Sequence, residues 1–351
     1  MTWRTVTSRR CRRAGALAAS ALVLASLTAC GSAAAPASGS GSSKPAPVAL
    51  RSAINGTSPS TTYFWVAKDN GLFEQHGLAV DLQNMNGSAA MGALIGGDVD
   101  FLIHTGPSLV LSAYANGTPL KILGAMEDVY DEILVAPSSI TSVEQLRGKK
   151  IGGSSLSSAN TLAAKRLLAD HGMQAGKDYT LVETGSSASE AGIAAQLLSH
   201  QIDAGALTTD FADKLVAQGG FHVLVDFAET DVHVASQVVT LRTPFIAQHR
   251  DVVQRLVDSL FDAARYYKSH KAEAVAAMRL HYKLEDQAQM EKLWERQSEL
   301  LAKVPTVAKE DFADIISQLP KDTPALSDDK LAALLDLSFV NDAAKRGLGQ
   351  Y

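Results

Sequence analysis

The sequence predicts an α/β protein of two similarly built lobes, each a mostly parallel sheet flanked by helices, with a helical C-terminal extension. Three observations carry this. The stretch Leu94 to Ser108, LIGGDVDFLIHTGPS, reads as a helix end, a turn, a short apolar strand and a polar loop. The same order returns at Leu197 to Phe211, LLSHQIDAGALTTDF. At 351 residues the chain is also long for a single core.

The echo keeps its order. Leu94-Ile95 answers Leu197-Leu198, Val99-Asp100 answers Ile202-Asp203, and Thr105 answers Thr208. Upstream, His76-Gly77-Leu78 answers His171-Gly172-Met173, and Gly87-Ser88 answers Gly185-Ser186. Helix–turn–strand units look alike in many α/β proteins, but shared order and spacing favour an internal repeat.

From Val48 the elements follow in turn. Val48 to Ile54 is a first strand, then comes a hydroxyl-rich loop to Thr62. Tyr63 to Gln75 is a helix with Tyr63, Val66, Ala67 and Phe73 inward, its end blurred by Asn70-Gly71. Leu78 to Leu82 is a strand, and Ser88 to Ile95 a helix capped by Asn86 or Ser88. Gly96-Gly97 supplies the positive φ that ends it. Val99 to Ile103 is a strand, His104 to Ser108 its loop, and Pro107 to Ala115 a helix opened by proline. Leu120 to Ala125 is a strand, and Asp128 to Ala136 makes the first crossing between lobes.

Lobe two begins with a short helix, Thr141 to Leu146, and a strand, Lys149 to Gly152. A helix from Thr161 to His171, a strand from Tyr179 to Glu183, a helix from Ser189 to Ser199 and the echo strand Ile202 to Leu207 follow. A helix to Ala217 and a strand from Phe221 to Phe227 complete it, and Val238 to Leu241 is the return strand. Pro244 to His270 is a long helical region, followed by helices at Lys271 to Leu280, Glu285 to Lys303, Lys309 to Leu319 and Asp328 to Ala344.

Composition narrows the function. Hydrophobic residues make up 46% and charged residues 20%, as in ordinary globular proteins. Net charge is −5; without the first 29 residues it is −10, from 27 Lys and Arg against 37 Asp and Glu. No basic stripe offers itself to nucleic acid, so no nucleic-acid partner is expected.

The N-terminus reads as an export signal. Arg4, Arg9, Arg10, Arg12 and Arg13 precede the apolar run Ala14 to Leu27, which ends in Leu27-Thr28-Ala29-Cys30-Gly31. This resembles a bacterial lipobox, which implies a lipid on Cys30. Residues 31–47 are Gly, Ser, Ala and Pro apart from Lys44, a composition that makes a flexible tether. The expected division is 1–29 signal peptide, 30–47 tether, 48–131 first part of lobe one, 132–232 lobe two, and 233–351 return to lobe one plus the C-terminal helices. The expected location is extracytoplasmic, lipid-anchored to the cell membrane.

Ligands of open parallel sheets bind beyond the carboxyl ends of the strands. Six loops fall there: Thr57 to Thr62, Asn86 to Ser88 and His104 to Ser108 in lobe one; Gly153 to Asn160, Gly185 to Ser187 and Thr208 to Asp210 in lobe two. They are rich in Ser, Thr, Gly and Asn, without Lys or Arg. Singly, such loops are ordinary helix caps; together they suit a cleft that binds a small polar or anionic solute through backbone N–H groups. His104 is either a donor to ligand or a structural histidine. Asp210 contacts ligand or caps the next helix. Asp128, Asp131 and Glu132 meet a cationic or heteroaromatic ligand, or form a solvated hinge. Tyr63 and Trp65 stack on a ligand ring or pack in the core.

Catalysis has little support. The G-x-S-x-G, H-E-x-x-H, G-x-x-x-x-G-K-[ST] and G-x-G-x-x-G motifs are absent, and the nine histidines lack metal-ligand spacing. The only cysteines are Cys11 and Cys30, which leaves the folded region without a thiolate or a Cys-based metal site. No catalytic residue, metal or cofactor is expected.

Ala67 to Leu78, AKDNGLFEQHGL, resembles the AKDxGLFxxxGL signature of solute-binding proteins of ATP-binding-cassette (ABC) importers, of the nitrate/sulfonate/taurine and thiamine-precursor type. Val143 to Gly152, VEQLRGKKIG, and Leu94 to Asp100, LIGGDVD, are similar to two further motifs of that family. The resemblance covers Val48 to Phe245. It implies a two-lobe periplasmic-binding-protein type II fold that closes on a solute and presents it to a membrane permease. It places the ligand contacts on Ser58, Ser60, Thr61, Asn86, Ser88, His104, Thr105, Ser155, Ser157 and Asp210. A sulfonate, taurine or nitrate-like anion is the first expectation; a thiamine-pyrimidine precursor or other heteroaromatic is the alternative. The implied partners are the small-molecule ligand and an ABC permease, with the protein itself a monomer. An enzyme or a ligand sensor on the same fold ranks below. Fungal relatives that make a pyrimidine use a cysteine-rich motif, and no cysteine follows Cys30.

Overall fold

The computed structural model describes residues 46–350 apart from 56–58, 155–157, 185–188 and 231–233. The expected signal peptide, most of the expected tether with Cys30, and Ser58, Ser155 and Ser157 lie outside the described residues. Two five-stranded sheets carry the fold. The first half runs β1 (Val48–Asn55), α1 (Thr62–Asp69), α2 (Leu72–Gln75), β2 (Leu78–Met85), α3 (Gly87–Gly96), β3 (Phe101–Thr105), α4 (Pro107–Ala115) and β4 (Leu120–Ala125). The chain then crosses to β5 (Glu132–Pro137), β6 (Lys150–Gly153), α5 (Ala159–Asp170), β7 (Thr180–Glu183), α6 (Ser189–Leu198), β8 (Ala204–Thr208), α7 (Thr209–Ala217) and β9 (Phe221–Asp226). β10 (Val238–Arg242) returns to the first sheet. The remainder is helical: α8 (Thr243–Gln248), α9 (Arg250–Ser269), α10 (Lys271–Tyr282), α11 (Gln287–Leu300), α12 (Ala313–Ser317), α13 (Asp328–Leu334) and α14 (Ser338–Lys345).

The strand orders are β2-β1-β3-β10-β4 and β7-β6-β8-β5-β9. Position for position they match, so β3 and β8, the two echo strands, occupy equivalent places. Each sheet is parallel except for one inserted antiparallel strand, β10 in the first and β5 in the second. Tyr63, Val66, Ala67 and Phe73 are all fully buried, as the helical spacing predicts. Gly97, at φ +85°, closes α3.

Four expectations are corrected. His104 and Thr105 are the last residues of β3, not a loop, because Val238 of β10 pairs with Thr105 and extends the strand. The helix Tyr63 to Gln75 is two helices, broken where Gly71 takes φ +67°. The region Pro244 to His270 breaks at His249 into α8 and α9. Asp328 to Ala344 divides because residues 335–337 leave the helix to meet β4: Leu335 bridges Ile122, and Asp336 N–H donates to the Ile122 carbonyl at 2.9 Å.

The C-terminal chain is a seam between the sheets. One apolar cluster takes Leu102 and Leu120 from the first sheet and Leu134 and Ala206 from the second. Phe312, Ile315, Leu331 and Leu334 complete it. The crossings are also hydrogen-bonded to this chain. Met126 N–H donates to Gln237 O at 3.2 Å and Val234 N–H to Asp128 O at 3.0 Å, joining the two crossings. Ala302 N–H donates to Met126 O at 3.0 Å and Ala235 N–H to Asp311 O at 3.1 Å, adding a third strand of chain. Gly124 on β4 marks how close this chain lies, since a Cβ there would sit 2.0 Å from the Pro305 carbonyl oxygen. Gly124→Ala is therefore expected to cost about 1–3 kcal/mol, as overpacking against backbone does. Urea unfolding measures it, and an unchanged midpoint would show that the segment yields freely.

Candidate functional site

The site is built where the strand ends of both sheets meet the crossings. In the first half, Ser60 and Thr61 form the turn into α1 and are buried. The Ser60 hydroxyl and His104 Nε2 are hydrogen-bonded at 3.0 Å, and Thr61 is hydrogen-bonded to the Tyr282 hydroxyl of α10. His104 adopts φ +56°, a conformation costly for a side chain with a Cβ. The buried hydroxyl of Thr105 has no protein partner among the described residues. Asn86 and Ser88 are exposed. The Asn86 side chain is occupied as the cap of α3, accepting from Ala89 N–H at 2.9 Å. The structure thus brings Ser60, Thr61, His104 and Thr105 together and leaves Asn86 and Ser88 at the rim.

In the second half, Asp210 opens α7 next to Thr208 and Glu190. Thr208 Oγ1 lies 2.5 Å from Glu190 Oε2 and 2.7 Å from Asp210 Oδ1. Thr208 N–H also donates to Glu190 Oε2, at 3.1 Å. Burial raises the Glu190 carboxyl against the hydrogen bonds it accepts from Thr208. Asp210 also faces Lys214 at 3.7 Å.

Between these walls lie carboxyls that the sequence pattern only partly revealed. Glu127, 2% exposed, is raised to about 8 by burial and then by the Asp131 charge. Gln297 Nε2 donates to its Oε1 at 2.7 Å. Asp131 is raised to about 6 by burial, against the pull of Arg296. Glu132, also buried, is raised by burial and then by Asp131, Glu190 and Glu127. Arg296 of α11 is the cation at this cluster. It grips Asp226 with two bonds of 2.7 Å and Asp131 with one of 3.2 Å. Tyr63 and Tyr267 are fully buried with unpartnered hydroxyls, and the Glu127 charge acts on both. Trp65 is stacked instead on His281, centroids 4.2 Å apart.

A cavity of about 80 Å³ adjoins the crossings. Gly106, Pro107 and Ser108 bring the N-terminus of α4 to it; Ala159 brings that of α5. Neither helix start is capped by a side-chain hydrogen bond. Tyr130, 3% exposed, lines the cavity with an unpartnered hydroxyl. Ile315 of α12 closes one side.

Glu127, Glu190, Tyr130, Tyr282 and Arg296 were not among the sequence-derived candidates. Glu190 had a signal, since it opens the helix after the Gly185-Ser186 loop. Arg296 and Tyr282 had none, because they lie on helices distant in sequence. Among the described residues no group of three His, Cys, Asp or Glu side chains is placed to hold a metal ion, and no helix is long and apolar enough to cross a membrane.

Two matched sheets, each receiving one antiparallel strand and meeting at paired strand ends, define the fold of periplasmic binding proteins. The chain belongs to the NMT1/THI5 like family, whose profile matches residues 58–274. No curated protein sequence matches it. Among solved structures it is similar to a putative sulfonate ABC transporter's periplasmic sulfonate-binding protein SsuA from Methylobacillus flagellatus KT. Identity is 17%, coverage 87% of this chain and 96% of that one, and TM-score 0.69. It is similar to the periplasmic nitrate-binding protein NrtA from Synechocystis PCC 6803, at 13% identity, 86% and 89% coverage, and TM-score 0.64. A DSZB mutant in complex with biphenyl-2-sulfinic acid is 19% identical, with 85% and 99% coverage and TM-score 0.59.

Proposed function

We propose that this chain is the extracytoplasmic substrate-binding component of an ABC importer, holding a small solute between two lobes and delivering it to a membrane permease. The observation that carries the reading is the convergence on one cavity of the α4 and α5 N-termini, one from each half, with the unpartnered Tyr130 hydroxyl. The names of the SsuA and NrtA relatives support it. The lobes are residues 48–131 with 233–351, and residues 132–232, joined at the two crossings. Anchoring through Cys30 would hold the protein at the membrane. Ser60, Thr61, His104, Thr105 and Asp210 are the ligand contacts we assign, with Ser58, Ser155, Ser157, Asn86 and Ser88 as the further candidates that the family resemblance implies.

The protein works by binding and release, without chemistry of its own. Closure follows from tighter binding to the closed form. A sulfonate-like anion suits the helix N-termini. The second reading, a thiamine-pyrimidine precursor or other heteroaromatic, is favoured by the buried carboxyls of Glu127, Glu132 and Glu190, which burial raises and which can hydrogen-bond ring nitrogens and amino groups. Thermal-shift screening of the purified protein against sulfonates, nitrate, thiamine precursors and flavins tests this. Binding raises the melting temperature through mass action. No stabilisation by any class would sink the reading, and turnover of a bound compound would refute the absence of chemistry.

A further inference from the structure

The cavity of about 80 Å³ has a wall that comes from neither sheet. Pro107 of α4 and Leu162 of α5 line it from the two halves of the fold, and Tyr130, Val234 and Ala235 line it from the crossings. Ile315 of α12 joins them. Leu162, Tyr130, Val234, Ala235 and Ile315 all belong to one buried apolar cluster, and Ile315 is 4% exposed. A residue from the C-terminal chain therefore shares in shaping the cavity.

The segment that carries Ile315 is fixed before and after the helix. Before it, Ala302 N–H donates to Met126 O at 3.0 Å, and Ala235 N–H to Asp311 O at 3.1 Å. After it, Lys121 Nζ donates to the Ala333 carbonyl, and Asp336 N–H to the Ile122 carbonyl at 2.9 Å. These anchors belong to the crossings and to β4, so α12 stays with the first sheet. The helix itself packs against both α4 and α5. Contact between α5 and α12 is thus contact between the second half and chain anchored on the first. Asp314 pairs with Arg166 of α5 at 2.9 Å, but both side chains are partly exposed, and such a pair contributes little. Apolar packing around Ile315 decides how closely α5 settles on α12.

Resting on the binding-protein reading above, we propose that Ile315 is a specificity-determining residue, which limits the length of the apolar substituent that the bound solute carries. Leu162, Val234 and Ile315 take that substituent out of water. A substituent that overruns the space meets Ile315, whose backbone is held at both ends of the segment and yields little. It then keeps α5 off α12, the closed arrangement loses apolar contact, and affinity falls. In an apolar pocket one methylene too many or too few changes binding by about tenfold or more.

Titration calorimetry of the purified protein follows two homologous series, the n-alkanesulfonates from methane- to octanesulfonate and 4-aminopyrimidines with 2-alkyl groups from methyl to pentyl. In the series that binds, affinity is expected to peak at a short tail and to fall about tenfold beyond it. Ile315→Ala removes about three carbons of side chain. It is expected to move the peak outward by about two carbons and to tighten the first over-long compound about tenfold. Ile315→Val, the milder change, is expected to move it by about one carbon, and Ile315→Phe to move it inward. Ile316 packs against the same cluster but is not among the residues lining the cavity, so Ile316→Ala is expected to leave the peak in place. Far-UV circular dichroism confirms that each variant folds. An equal loss of affinity at every tail length in the Ile315 variants would mean that Ile315 only supports the fold, and the proposal falls while the binding-protein reading stands. The same shift in Ile316→Ala, or wild-type affinity indifferent to tail length, also overturns it. Binding by neither series overturns it too, while the broad thermal-shift screen separately decides the binding-protein reading.

Discussion

Arg296→Met is expected to destabilise the protein by about 3 kcal/mol, at the lower end for breaking a buried ion pair. The guanidinium, whose side chain is 13% exposed, reaches from α11 to Asp226 at the end of β9 and to Asp131 at the first crossing. Removing it strands two carboxylates that Arg296 now compensates. Its loss also cuts a tie between the C-terminal helices and the second sheet. Lys292 to Asp213, at 2.6 Å, and Arg166 to Asp314, at 2.9 Å, are the neighbouring ties, and both are more exposed. Chemical unfolding gives the loss of stability, and small-angle scattering reports any separation of the halves. A change below about 1 kcal/mol would mean that the aspartates accept protons or water without strain. A rescue by Asp226→Asn in the double variant would assign the cost to the stranded charge rather than to lost packing.

Glu127→Gln is expected to do the opposite, and only at high pH. In the fold this carboxyl keeps its proton to about pH 8, against an ordinary value of 4.5, chiefly because it is buried. Protonated Glu127 suits its surroundings; the ionised form does not. Its contribution to stability is therefore complete below about pH 4.5 and is lost as the pH rises through 8. The full swing is on the order of 4 kcal/mol, and relaxation around the charge would reduce it. Gln keeps the amide donor of Gln297 supplied with an acceptor and cannot ionise. The melting temperatures of the two proteins should coincide near pH 4.5, diverge as the pH rises to about 8 and hold that gap above it, with the variant higher. Asp131, raised to about 6 and facing the same way, drains stability at lower pH in both proteins and so cancels in the comparison. A constant offset between the two melting curves would show that Glu127 ionises at an ordinary pH.

These two outcomes bear on how closure works. The crossings are not two free strands: the chain after α11 hydrogen-bonds to Met126 and Ala235, and Arg296 locks onto the second sheet. On the proposed two-lobe reading, opening of the cleft would stretch or move with these ties. The hinge motion proposed above would then be set by the C-terminal chain as well as by the crossings.

The order of strands and helices was readable because their signals are local. Alternating apolar runs, Pro107 at a helix start and Gly97 at a helix end act within a few residues. The repeat was readable for the same reason, and β3 and β8 take equivalent places. Ser60 and His104 emerged as candidates from loop composition, and the fold brings them to 3.0 Å. The strand ending at Thr105 was misread as a loop because its partner, Val238, comes from the far side of the second half. Helical periodicity in Gln287–Leu300 announces an apolar face but not which neighbour it meets. Only the tertiary structure brings Arg296 to Asp131, 165 residues away, and Gln297 to Glu127, 170 residues away. The protonation of the carboxyls was likewise invisible in sequence. It depends on burial and on which charges lie nearby, and both exist only once distant segments have packed together.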